Sequence, residues 1–235
     1  MTMQGIRVDQ DAMERATQFM LSEEKKAREE LHKLVGFDVE IWAAASIAKA
    51  FDKLELDYPR TAKDAPSFTK SFLNTHKHPL PKQILLAREF NKSKGTFIDG
   101  LQKHIGRDGR VHGHINQIRS DDGGTVSGRI SMNNPNLQQI PARHPKLGPL
   151  IRSVFVPNEE EKWASIDYSQ QEPRILVHFA ALYQKRTGKP MPKVNEFVDG
   201  YKNNPDMDFH TMVADMANIP RKQAKVINLG MMYGM

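Results

Sequence analysis

The segments KWASIDYSQQEPR, residues 162–174, and RKQAKVINLGMMYGM, residues 221–235, decide the fold of this chain. In the first segment Trp163, Ser165 and Asp167 share one face of a predicted strand, and a helix is predicted to follow. A carboxylate beside a backbone carbonyl at a strand end suits Mg²⁺, which prefers hard oxygen ligands. The alternative is an aspartate that only caps the following helix.

The second segment predicts a helix that begins after Pro220. Four of its side chains lie four residues apart: Arg221, Lys225, Leu229 and Tyr233. Each step of four rotates a side chain by only about 40° around the helix axis, so the four form one stripe. Two cations near the positive end of the helix dipole are unfavourable in isolation, and a docked triphosphate would stabilise them. An ordinary basic amphipathic helix is the alternative.

The composition limits the function classes. The 235 residues include 34 Lys and Arg against 28 Asp and Glu, and the net charge of +6 favours polyanionic partners such as nucleic acid. The chain contains no cysteine, which excludes disulfides, thiolate zinc sites and cysteine nucleophiles and fits a reducing cytosol. No apolar run approaches about 20 residues and no secretory signal is recognisable, so we expect no membrane association.

Apolar periodicity and turn residues predict the other elements. Asp9 and Gly36 are suited to cap the two ends of the first helix. Helices are predicted at 9–35, 43–54 and 82–104. Extended segments are predicted at 110–119 and 150–157, and a surface insertion between two helices at 185–205.

Five segments in a fixed order carry a family resemblance: GRVH (109–112), TVSGRISMNNPNLQQIP (125–141), IRSVFVP (151–157), IDYSQQEPR (166–174) and RKQAKVINLGMMYGM (221–235). Their order resembles that of family A DNA polymerases, the bacteriophage and bacterial polymerase I type, and the resemblance covers essentially the whole chain. It implies an α+β fold, a right-hand polymerase fragment. The expected parts are a helical thumb at 1–105, a partial antiparallel palm sheet at 106–180 and partial helical fingers at 181–235.

The resemblance also implies catalytic roles. Asp167 corresponds to the motif A aspartate that binds both Mg²⁺ ions, and the carbonyl of Tyr168 to a further metal ligand. Arg221 and Lys225 correspond to the motif B residues that bind the phosphates. Lys225 is in addition a candidate general acid for the leaving pyrophosphate. Tyr233 corresponds to the tyrosine that stacks at the templating or insertion position.

Further residues are implied to contact the substrates. Glu172 corresponds to the residue that crowds the sugar 2′ carbon and excludes ribonucleotides. The other residues implied to line the nucleotide pocket are Gln170, His210 and Leu229. Those implied to bind DNA are Lys94 on the backbone, Arg129 in the minor groove at the primer end, and Asn136 and Gln138 on the duplex.

Two departures from the family pattern shape the expected function. Leu229 stands where relatives have Phe or Tyr, and the acidic His-Asp-Glu segment of motif C is not found in the sequence. Because one acidic residue cannot fix two metal ions, we expect the N-terminal portion of a split or truncated template-directed DNA polymerase that is inactive alone. A C-terminal polypeptide would supply motif C.

The expected partners are primer–template DNA and deoxynucleoside triphosphates, in a bacterial or phage-infected cytoplasm. Two alternatives remain. One is a catalytically inactive DNA-binding module, which would hold the duplex through backbone contacts. The other is a fragment of a single-subunit RNA polymerase, against which Glu172 argues because it would exclude a 2′-hydroxyl.

Overall fold

The computed structural model describes residues 4–121, 123–142 and 144–234, and the chain divides after Trp163 into two compact units. Both units are mainly helical, and the first also contains small antiparallel sheets, which confirms the α+β fold class. The boundary after Trp163 falls inside the palm expected at 106–180, and the three-part division stays a prediction. Within the described ranges, no helix is both long enough and apolar enough to span a bilayer.

The first unit is organised around helix α1, Gln10–Val35. Its ends are those predicted from the sequence. The Asp9 carboxylate accepts a hydrogen bond from the Ala12 N–H at 2.9 Å, and Gly36 closes the helix in the left-handed conformation, with φ of 81°. An N-cap of this kind contributes about 1 kcal/mol, so local signals alone account for the position of this helix.

Three further helices pack around the C-terminal half of α1: α2, Ala44–Lys53, α3, Lys70–Thr75, and α4, Pro79–Ser93. The helix continues from α4 through a π-helical segment, Lys94–Asp99, into α5, Gly100–Gln102. The helices predicted at 43–54 and 82–104 are therefore confirmed, although the second begins earlier. The fully buried Phe51 lies at the centre of this core, where its ring is 4.9 Å from that of Phe68.

A second core contains the N-terminal half of α1, the π-helical segment and a three-stranded antiparallel sheet. The central strand β1, Ile6–Val8, pairs with β2, Arg110–Val111, and with β5, Phe155–Val156. The neighbouring strands β3, His114–Asn116, and β4, Ser131–Asn133, form a separate antiparallel pair. The strands that join sequence-distant segments thus close the first unit around α1.

Two extended segments are shorter than predicted. The segment 110–119 splits into β2 and β3 at Gly113, where a Cβ would lie only 3.2 Å from the Pro135 carbonyl oxygen. The prediction of an extended 150–157 is wrong in its first half, because helix α6 occupies Leu147–Arg152 and only β5 is extended. Leu147 and Ile151 are both buried and lie four residues apart, as one helix face requires.

The second unit, residues 164–234, contains four helices within its described part. They are α7, Gln171–Thr187, α8, Val194–Asn203, α9, Phe209–Ala217, and α10, Arg221–Met232. Helices α9 and α10 pack together, and α8 packs against α7. The Phe197 ring of α8 lies 4.8 Å from that of Phe209. The insertion predicted at 185–205 is therefore a packed helix in its second half.

The strand predicted over residues 162–168 does not form. This segment is extended but exposed, with Ile166 at 90% and Tyr168 at 78% of their full accessibility. A strand requires hydrogen bonds to a neighbouring strand, and no strand in the described ranges pairs with this segment. Alternation in the sequence indicates a segment able to pair and does not supply the partner.

Candidate nucleotide and DNA sites

Asp167 lies in the exposed segment that precedes α7. Its carboxylate and the adjacent Tyr168 carbonyl are hard oxygen donors of the kind that Mg²⁺ takes. Among the described residues, no cluster of three or more His, Cys, Asp or Glu side chains is placed to hold a metal. The described residues therefore supply part of a ligand set and do not form a complete site for two ions.

Gln170 connects the start of α7 to the segment that leads into α9. Its backbone is left-handed, with φ of 56° and ψ of 43°, and its side-chain amide bonds within the protein. Nε2 donates to the Met207 carbonyl at 2.8 Å, and Oε1 accepts from the Phe209 N–H at 2.7 Å and from the Tyr201 hydroxyl at 3.4 Å. The predicted substrate residue is thus also a structural clamp.

Arg174 reinforces the same connection. Its guanidinium donates to the carbonyl oxygen of Ser169 at 2.9 Å and to that of Pro205, and it lies 4.5 Å from the centre of the Tyr201 ring. Burial raises the pKa of the Tyr201 hydroxyl, although the nearby charge of Arg174 opposes the change. The corner before α7 and the segment before α9 are consequently held together by both polar and aromatic contacts.

The cations of α10 lie beside α9. Arg221 is exposed and Lys225, one turn further, is half-buried. Arg221 forms an ion pair with Asp208, the N-cap residue of α9. In the described part of the chain, Lys225 makes no hydrogen bond or ion pair. The stripe predicted from the sequence is therefore present, and one of its two cations already has a carboxylate partner.

His210 is buried between these two helices, at 6% of its full accessibility. Its Nδ1 accepts a hydrogen bond from the Asn228 amide at 3.2 Å, so the neutral ring carries its proton on Nε2. Burial lowers the pKa of His210, the charges of Lys225 and Arg221 lower it further, and Asp208 acts in the opposite direction. A neutral imidazole with an N–H donor therefore lies close to both cations.

The C-terminal end of α10 is close to the start of α7. The Tyr233 hydroxyl donates to Glu172 Oε1 at 3.4 Å, and both side chains are exposed. Leu229, one turn before Tyr233, is half-buried. The second unit therefore brings together the two residues predicted to contact the base and the sugar, which are 61 positions apart in the sequence.

The residues predicted to bind DNA lie in the first unit, and three of them also have structural roles. Lys94 Nζ is 2.8 Å from Asp99 in an ion pair. The Asn136 side chain accepts from the Gln138 N–H at 3.1 Å. The Gln138 amide bonds the Ile130 carbonyl and the Met132 N–H, both at 3.1 Å. Arg129 is exposed. Their contacts with DNA stay predictions.

Asp208 and Asn228 were missed in the sequence. An aspartate directly before a helix is a recognisable N-cap, which could have identified Asp208. Its second role, holding Arg221 thirteen residues away, depends on how α9 and α10 pack. Asn228 falls on the same helix as the cationic stripe, and its burial against His210 has no local sequence signal.

Curated relatives of this chain include polymerases from phages and bacteria. It is 36% identical to a "DNA-directed DNA polymerase" of Pseudomonas phage M6, over 98% of this chain and 36% of the phage protein. It is 35% identical to "DNA polymerase DpoZ" of Acinetobacter phage SH-Ab 15497, over 100% of this chain and 40% of that protein. "DNA polymerase I" of Bacillus subtilis strain 168 is 31% identical, with 98% of this chain and 26% of the relative covered. The chain thus spans about two-fifths or less of these relatives.

A solved structure shares the fold. The POL domain of Pol1 from M. smegmatis, in complex with DNA primer-template and dNTP, matches with a TM-score of 0.60 and 24% identity, over 94% of this chain and 43% of that one. The sequence model described as DNA polymerase family A matches residues 10–235. A match over nearly the whole chain shows the family, and this chain belongs to DNA polymerase family A.

Proposed function

We propose that this chain forms the nucleotide-binding and primer-binding part of a template-directed DNA polymerase, which adds deoxynucleotides to a primer 3′-hydroxyl. One observation carries the proposal: α9 and α10 bring the two cations Arg221 and Lys225 beside the neutral His210 within one unit. Two positive side chains and an N–H donor are suited to a triphosphate, whose oxygens accept charge-assisted hydrogen bonds.

Each residue has a defined task in the proposed reaction. Arg221, Lys225 and the Nε2–H of His210 bind the phosphates and orient the α-phosphorus for attack. Most of the acceleration of phosphoryl transfer comes from such positioning and charge stabilisation. Lys225 is the candidate donor of a proton to the leaving pyrophosphate, because it has no carboxylate partner among the described residues.

The opposite end of the site selects the sugar and the base. Glu172 would occupy the space of a 2′-hydroxyl, and Tyr233, held near it at 3.4 Å, would stack at the insertion position. This contact argues against the RNA polymerase alternative. Asp167 and the Tyr168 carbonyl would hold part of the coordination of two Mg²⁺ ions, which when bound activate the primer hydroxyl and stabilise the leaving oxygens.

We further propose that a separate polypeptide supplies motif C and the rest of the fingers and palm. One face of α7 supports this. Its apolar side chains fall within a 100° arc, as helical steps of 100° require, and each is 45% to 61% exposed: Ile175, Leu176, Phe179 and Tyr183. Apolar faces of this kind mark protein interaction sites. The polymerase would act in the cytoplasm of a bacterial or phage-infected cell.

Primer extension tests the proposal. The 235-residue chain is mixed with a polypeptide corresponding to the remainder of a phage relative, primer–template DNA, Mg²⁺ and dNTPs. We expect extension by the mixture and none by either part, and Asp167→Asn should reduce it at least 100-fold while Asp199→Asn, an exposed control in α8, leaves it unchanged. Full extension by the Asp167→Asn mixture would show that the proposed site is wrong.

The DNA-binding module is the second candidate, because the described residues place no further carboxylate beside Asp167. The same mixture separates the two. Duplex binding by the chain, together with no extension in any mixture, would favour the module and refute the polymerase.

A further inference from the structure

The Asp208 carboxylate joins the N-termini of two helices. Its Oδ1 accepts hydrogen bonds from the backbone N–H groups of His210, at 2.9 Å, and Thr211, at 3.1 Å. Its Oδ2 accepts from Arg221 Nε at 2.9 Å and from Arg221 Nη2. One oxygen therefore caps α9, and the other fixes the first side chain of α10.

Arg221 keeps a free edge in this arrangement. A guanidinium has five N–H donors in a rigid plane. Asp208 takes one from Nε and one from Nη2, and no other acceptor in the described ranges bonds this side chain. Three donors remain, two on Nη1 and one on Nη2. Because they form the opposite edge of the plane, they match the bidentate geometry in which arginine binds phosphate.

Charge and exposure agree with this division of the guanidinium. The Arg221 side chain is 53% exposed, so its free edge is accessible, whereas Asp208 is 32% exposed. Burial alone would raise the pKa of Asp208, but the hydrogen bond from Arg221 and those from the α9 backbone leave it lowered. Asp208 is therefore ionised at neutral pH and holds a flexible side chain in one orientation before any ligand arrives.

We propose that Asp208 is a positioning residue for the triphosphate: it holds one edge of Arg221 so that the other edge is presented to the phosphates. The inference rests on the proposed function, in which Arg221 binds those phosphates. Its benefit is entropic, because a side chain that is already ordered loses less freedom on binding. The opposite role, a counter-ion that the phosphates must displace, would require the nucleotide to take the edge that Asp208 occupies.

Asp208→Asn tests the proposal. Asparagine is as good an N-cap as aspartate, but its amide cannot accept two charge-assisted bonds from Arg221. We expect the Kd of the 235-residue chain for dATP with Mg²⁺, measured by calorimetry, to rise five- to tenfold. Asp206→Asn is the matched control, because it removes the same charge from an exposed position two residues earlier, and it should leave the Kd unchanged or slightly lower.

A double-mutant cycle distinguishes positioning from general stabilisation. If Asp208 acts through Arg221, Asp208→Asn should have no further effect on the Kd in an Arg221→Ala background. Should Asp208→Asn not fold, as judged by its thermal melt, Asp208→Ser replaces it, because serine also caps helices and offers no carboxylate.

The outcomes separate this inference from the proposed function. An unchanged or lower Kd in Asp208→Asn, or an equal rise in the Arg221→Ala background, would overturn the positioning role. A wild-type Kd in Arg221→Ala would instead overturn the triphosphate site itself, on which the inference rests.

Discussion

Replacing Gln170 by alanine separates its structural role from its predicted role in substrate binding. The side chain makes two short hydrogen bonds, to the Met207 carbonyl at 2.8 Å and from the Phe209 N–H at 2.7 Å. Each contributes about 1 kcal/mol net, and a part-buried N–H left without an acceptor adds to the loss. Glutamine and alanine both carry a Cβ, so the left-handed backbone costs the same in each. We expect Gln170→Ala to lower the free energy of unfolding by about 2–3 kcal/mol.

Urea unfolding followed by circular dichroism measures this loss, and hydrogen exchange at the Phe209 amide shows whether it is local. Gln171→Ala is the matched control, since Gln171 is exposed and makes no side-chain hydrogen bond in the described part of the chain. A loss below about 0.5 kcal/mol, the usual range for a surface substitution, with unchanged Phe209 exchange, would refute the clamp.

Three other perturbations follow from the structure. Because burial lowers the pKa of His210, the unfolded chain takes up that proton more readily, and the free energy of unfolding should fall as the pH drops below about 6.5; His210→Gln should flatten this dependence, and exposed His178→Gln should not. Phe51→Ala should cost about 3–5 kcal/mol in urea unfolding, and a loss under 1 kcal/mol would contradict the described core. Lys94→Ala should weaken duplex binding and reduce the salt slope by about one; an unchanged slope would remove Lys94 from the DNA site.

Local signals account for what the sequence predicted correctly. Helix α1 has a capping aspartate, a closing glycine and an apolar face, all encoded within residues 9–36. The helix after Pro220 and its cationic stripe follow from spacing in the same way. The family resemblance added the roles of residues that spacing alone left open.

The errors arose where structure depends on distant partners. Residues 162–168 alternate like a strand, but the described chain provides no neighbouring strand to pair with them. Helix α8 was read as a loop from its Lys, Pro and Asn content, although Val194 is buried and Phe197 packs against Phe209. His178 was expected on a buried helix face and is exposed. Arg174 was expected to form a salt bridge and bonds two carbonyl groups instead.

The candidate site shows the same division. Arg221, Lys225 and Tyr233 could be named from one helix. The bonds that place them, from Arg221 to Asp208 and from Tyr233 to Glu172, cross 13 and 61 residues of sequence. Such contacts depend on how helices pack, which no local pattern encodes.

Backbone chemical-shift mapping tests the triphosphate site most directly. Addition of dATP with Mg²⁺ to the ¹⁵N-labelled chain should shift the amide signals at the N-termini of α9 and α10 most strongly, around His210, Thr211, Arg221 and Lys225. These shifts should disappear in the Arg221→Ala, Lys225→Ala double variant. Shifts confined to residues 4–163, or the same shifts in the double variant, would contradict a nucleotide site on these two helices.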